Sequence, residues 1–174
     1  MKLPLVITLV APDRTGLVES VAQAVASHGG NWLESRMCRL GGEFAGILRI
    51  EIPAERKTEL LAALQTLPGL NCVVQPARAA EPAAPARQLR LEIVGSDRPG
   101  IVREITRALT RANVNVEEFS SERISAPMSG EELFKAAARL QLPEACDVAG
   151  LKRDLETIAA DLLVDVSIAE VPGA

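Results

Sequence analysis

Two short stretches carry residue types that could hold a small charged ligand: "APDRTG" at residues 11–16 and "GSDRPG" at residues 95–100. Each follows an apolar run and precedes residues at helical spacing, so each reads as a corner where a strand hands over to a helix. At such a corner the first backbone N–H groups of the helix have no partner within it. The helix dipole adds partial positive charge there, so a carboxylate or phosphate is the favoured guest. Gly16 and Gly100 lack a Cβ, which lets a ligand or a neighbouring backbone approach. A plainer reading stands beside this one: Asp13 and Asp97 cap their own helices, because Asp is among the preferred capping residues.

The corners belong to a longer internal repeat. Sliding the 174-residue sequence by 84 positions lays "APDRTGLVESVAQAVASHGGNWLES" on "GSDRPGIVREITRALTRANVNVEEF". Seven of these 25 positions are identical, among them Asp13/Asp97, Arg14/Arg98, Gly16/Gly100, Asn31/Asn115 and Glu34/Glu118. Apolar exchanges such as Leu17/Ile101 and Val21/Ile105 preserve the helical spacing between them. Asn31 and Asn115 stand where the next strand begins, with capping of the preceding helix as their alternative role.

These residues need elements to position them. Each half reads as strand, helix, strand, strand, helix, strand. In the first half the strands are "LPLVITLV", "NWLESRMCRL", "EFAGILRIEI" and "LNCVVQ", with a tight turn at Gly41-Gly42 and a second helix in "ERKTELLAALQTL". In the second half strands are expected near 89–94, 114–125, 132–142 and 162–169, and helices near 99–112 and 147–160, with Asp147 as an N-cap. The hairpin at 125–132 is longer than its counterpart in the first half. This order fits an α+β fold of two ferredoxin-like βαββαβ domains, each a four-stranded antiparallel sheet with two helices on one face. The Pro- and Ala-rich segment 77–87 is expected to link an N-terminal domain, 1–76, to a C-terminal domain, 88–174.

In that topology the first two strands of a domain run parallel. The corner and the Asn of one domain therefore lie at opposite ends of its sheet. Two copies meeting edge to edge with opposed strands would bring the corner of one to the Asn of the other, leaving a gap for a small zwitterion.

Composition excludes several function classes. A formal net charge of −4 gives no electrostatic footprint for direct nucleic-acid binding. No apolar stretch approaches the ~20 residues a membrane helix needs, and the N-terminal run lacks the features of a signal peptide, so a cytoplasmic location is expected. Cys38, Cys72 and Cys146 have no paired spacing, which indicates neither disulfides nor a metal site; each reads as a small buried apolar residue. His28 is the sole histidine and stands at a helix end. No catalytic constellation and no cofactor motif emerges. The sole tryptophan, Trp32, follows Asn31 on an expected edge strand, where packing at a domain interface or anchoring a partner would suit it.

The segments "DRTGLVESVAQAVASHGGNW" and "DRPGIVREITRALTRANVNV" each resemble the corner, helix and second-strand start of an ACT domain. The tandem arrangement, with "APMSGEELF" in the second copy, resembles the glycine cleavage system transcriptional repressor family. The resemblance implies ligand contacts at Asp13, Arg14, Thr15, Gly16, Leu17 and Asn31, and at Asp97, Arg98, Pro99, Gly100, Ile101 and Asn115. It implies a non-enzymatic, dimeric regulator that binds a small amino acid of glycine or serine type at domain interfaces. Such a regulator would modulate transcription of glycine cleavage genes through a DNA-binding activator protein. The alternative is a ligand-independent scaffold, or an interaction module that regulates a metabolic enzyme. The sequence departs from serine-binding ACT domains in having Asp rather than Asn at the corner, a group that repels a carboxylate but pairs with an ammonium. Thr15 stands where Pro99 is placed at the first helical position of the second copy.

Overall fold

The computed structural model describes residues 1–78, 87–126 and 130–170. The chain falls into two compact units, Met1–Glu81 and Pro82–Ala174. The expected linker lies mostly outside the described residues, as does the middle of the second hairpin.

The first unit runs β1 (Lys2–Pro12), α1 (Leu17–Ser27), β2 (Asn31–Leu40), β3 (Glu43–Pro53), a short 3-10 turn, α2 (Lys57–Gln65) and β4 (Asn71–Pro76). The second runs β5 (Arg87–Ser96), α3 (Ile101–Arg111), β6 (Asn115–Ser125), β7 (Glu132–Leu142), α4 (Val148–Leu162) and β8 (Val164–Glu170). Sheet orders are β2-β3-β1-β4 and β6-β7-β5-β8, with every neighbouring pair antiparallel. Both halves are βαββαβ units of ferredoxin-like type, as the sequence pattern predicts.

Period-two alternation in the central strands decides which face is covered. Leu5, Ile7 and Leu9 of β1 and Leu48, Ile50 and Ile52 of β3 point to one side and are buried beneath Leu17, Val21 and Val25 of α1 and Leu60 and Leu64 of α2. The second unit repeats this with Leu89, Leu91 and Ile93 under Ile101, Ile105 and Leu109 of α3 and Leu151 and Leu155 of α4. Fully burying one such side chain is worth about 1.5–3 kcal/mol, so aliphatic residues alone can sustain each core.

Several expectations about termini are settled. Asp147 caps α4, its Oδ1 accepting from the Gly150 N–H at 3.0 Å. Helix α1 ends at His28, whose Nδ1 lies 2.7 Å from the Ala24 carbonyl. Beyond the helices, Gly29 (φ 70°) and Asn113 (φ 54°) occupy equivalent left-handed positions. Neither Asn31 nor Asn115 caps a helix; both begin strands. Cys72 and Cys146 are only half-buried, packed against the cores, and Cys38 is exposed, because the helix-free side of an edge strand meets solvent. Trp32 is half-buried against its own unit's core.

Candidate functional site

Each corner begins where its central strand leaves the sheet. The Asp13 N–H donates to the Gly42 carbonyl at 2.9 Å, and the Asp97 N–H to the Glu132 carbonyl at 3.1 Å, tying each corner to the tip of the following hairpin. The chain then turns through Gly16 (φ 83°) and Gly100 (φ 100°), which are the N-cap residues. Left-handed backbone is open to glycine at little cost, which is why the glycine recurs at this position.

This geometry corrects the capping expectation. No side chain caps α1 or α3. The first amides engaged within the helices are those of Ser20 and Glu104, which donate to the carbonyls of Gly16 and Gly100. The N–H groups of residues 17–19 and 101–103 precede them and have no acceptor within the helix. Pro99 likewise stands in the turn, two residues before the first residue of α3, and not at the first helical position.

Asp13 and Asp97 are engaged elsewhere. Arg39 Nε lies 2.6 Å from Asp13 Oδ2, and Arg123 Nη1 lies 3.8 Å from Asp97 Oδ2. Arg123 also meets Glu132 at 3.1 Å, so its charge is shared. These arginines, on the β2 and β6 edge strands, compensate the carboxylate at each corner. Sequence reasoning missed them, although the same 84-residue offset lays Arg39 on Arg123 just beyond the compared stretch.

A second pair recurs across each hairpin. Glu34 faces Arg49 in the strand register, with Oε1 3.2 Å from Nη1, and Glu118 faces Arg139 at 2.7 Å. The register shifts in both strands just before these glutamates, between Trp32 and Glu34 and between Val116 and Glu118. A bulge of this kind re-aims side chains at a strand end.

The remaining candidate residues separate by exposure. Leu17 and Ile101 send their side chains into the cores, leaving only their N–H groups for a ligand. Arg14, Thr15, Arg98 and Pro99 are exposed at the turns, and Val18 and Val102 leave an apolar group exposed on each first helical turn. Asn31 and Asn115 are exposed at the strand starts.

Within one unit the corner and the asparagine are far apart. Pro12 pairs with Glu43 and Asn31 with Glu51, so eight residues of β3 separate the two ends, about 26 Å at ~3.3 Å per residue. In the second unit Ser96 pairs with Leu133 and Asn115 with Gln141. No unit brings the two groups together by itself. Among the described residues no cluster of His, Cys, Asp or Glu could hold a metal, and no helix is long and apolar enough to cross a membrane.

Comparison with known proteins places this geometry in a family. Two models, both described as ACT domain, match residues 4–69 and 89–136, together well over half of the chain. No curated protein matches. Among solved structures, an unknown protein from Galdieria sulphuraria is similar over 99% of this chain and 100% of its own, with a TM-score of 0.88 and 28% identity. A candidate glycine cleavage system transcriptional repressor is similar over 99% of both chains, with a TM-score of 0.68 and 20% identity.

Proposed function

Because the chain belongs to the ACT-domain family, with one ACT domain in each half, we propose that it is a non-enzymatic regulator responsive to a small amino acid of glycine or serine type. The observation that carries this reading is the repeated corner: an uncapped helix N-terminus beside an aspartate already compensated by an arginine. Unpaired amides and the helix dipole favour the ligand carboxylate. The arginine offsets the repulsion that the aspartate alone would exert, while the aspartate oxygen stays available to an ammonium group.

The asparagine of a paired ACT domain completes the site, supplying a carbonyl oxygen to the ammonium. Ligand binding then favours one domain arrangement over another in a homodimer, because a ligand shifts an equilibrium only by its differential affinity. The similarity to a candidate glycine cleavage repressor supports transcriptional control of glycine cleavage genes as the output. The acidic chain suits action in the cytoplasm through a DNA-binding activator and not direct contact with DNA.

Isothermal titration with glycine, L-serine and glycinamide tests this. Saturable heat is expected for an amino acid with a free carboxylate and not for glycinamide. Equal heats for glycine and glycinamide, or none for any amino acid, would remove the carboxylate site. A second reading has its own observation: Val10, Ile47 and Val73 are exposed on the helix-free face of the first sheet, an apolar surface that suits a ligand-independent scaffold. A silent titration with an unchanged dimer would favour it.

A further inference from the structure

Helix α3 carries arginines at positions 103, 107 and 111, one every four residues, and such spacing draws them into a single stripe. The opposite face is buried through Ile101, Ile105, Ala108 and Leu109, so the stripe faces outward. All three arginines are exposed. The only acid among them is Glu104, 2.7 Å from Arg103 and 3.9 Å from Arg107. A hydrogen bond from Arg103, then the charges of Arg103, Arg107 and Arg111, hold its carboxyl below the ordinary range. Three cations therefore share one anion.

The first unit supplies an internal control. At the equivalent positions of α1 stand Glu19, Gln23 and Ser27, equally exposed on a helix of equal length in the same fold. The fold does not call for arginine there. Like charges one turn apart destabilise a helix, so the row costs the second unit stability that the first does not spend. It also stands out in a chain whose net charge is −4.

We infer that Arg103, Arg107 and Arg111 form a docking surface for an acidic protein segment that presents carboxylates at one-turn spacing. Guanidinium groups pair with carboxylates through two parallel hydrogen bonds, and a partner helix with acids at every fourth residue matches the ~6 Å repeat of the row. A nucleic acid is the poorer occupant. Three guanidinium groups are few against a continuous polyanion, and the chain's net charge of −4 opposes one. The inference takes up the partner side of the function proposed above and does not depend on the amino-acid site.

The test uses the full chain and three fluorescent probes: a 20-residue Ala-based peptide with Glu at every fourth position, its Gln counterpart, and a 20-base-pair DNA duplex. The Glu peptide is expected to bind best, with affinity that falls as salt is raised. Combining Arg103→Glu, Arg107→Gln and Arg111→Ser, which installs the residues of the first unit, should weaken it at least tenfold. Glu19→Arg, Gln23→Arg and Ser27→Arg, added to that variant, should restore binding through α1 and keep the test valid if the first variant folds poorly. Equal affinity for the Glu and Gln peptides, no loss in a folded triple variant, or tighter binding of the duplex would overturn the proposal. Glycine titration of the Arg107→Gln, Arg111→Ser double variant, which leaves the first turn of α3 untouched, separates the two readings, since its heat should be unchanged whichever way the peptide experiment falls.

Discussion

Arg39 reaches from the edge strand to Asp13 at the corner, Nε to Oδ2 at 2.6 Å, so the acid at the mouth of α1 is matched by a base from another element. Both groups stay in contact with solvent, at 70% and 33% side-chain exposure, which limits the pair's value to stability to about 1 kcal/mol or less. Its larger effect concerns ligand charge. Arg39→Met keeps an apolar stem but leaves Asp13 uncompensated beside the carboxylate site. We expect glycine or serine affinity to fall by about 1–2 kcal/mol, roughly five- to thirtyfold. Asp13→Asn in the same background should recover most of the loss. The matching Arg123→Met should weaken binding less, because Arg123 sits 3.8 Å from Asp97 and divides its charge with Glu132. Calorimetry on the four proteins decides; an Arg39→Met protein that binds like wild type rules out the compensating role.

The asparagines are tested separately. Asn31→Ala and Asn115→Ala change exposed strand starts, so the urea midpoint should move little. If the amide meets a charged ligand group in a dry site, each substitution at an occupied site should weaken binding by about 1–3 kcal/mol. Unaltered affinity in both variants would leave the corners without the partner group proposed for them.

The two units differ at one closely packed strand position. A Cβ on Gly95 would lie 2.5 Å from Val164 Cα and 2.6 Å from the Leu163 carbonyl oxygen, both backbone atoms that cannot swing aside. The equivalent residue in the first unit is Ala11, buried without difficulty. Gly95→Ala should therefore destabilise the second unit by about 1–3 kcal/mol, as overpacking does. Part of the circular dichroism transition should therefore move to lower urea. A circular dichroism curve that superimposes on wild type would contradict this packing.

The repeat made most of the fold legible. Strand alternation, helical spacing and the Gly-Gly turn gave the element order within a few residues, because local patterns dominate where one face is buried. Fine placement at the corners was not legible. Asp is the commoner capping residue, yet Asp13 is drawn to Arg39, a residue of another strand, and a left-handed glycine takes the cap instead. Pro99 likewise preceded the helix when its ring was expected to open it, since Gly100 must first turn the chain. Cys38 read as buried because cysteine usually is, but exposure there depends on which face of an edge strand it occupies, and that is a matter of register.

A last prediction concerns acid. In the folded chain Glu104 is held below its ordinary pKa of 4.5, chiefly by the Arg103 hydrogen bond. A depressed carboxyl favours the folded state fully only above its unfolded pKa, and the contribution disappears as pH falls through the folded value. Wild type should therefore show a slightly higher urea midpoint than Glu104→Gln at pH 7, with the gap narrowing as pH falls below 4.5. The same substitution removes the one anion from the arginine row, so binding of the Glu peptide should tighten at pH 7 even as the helix loses stability. Opposite signs in these two measurements separate an electrostatic role for Glu104 from a packing role, which would lower the midpoint equally at pH 7 and pH 3.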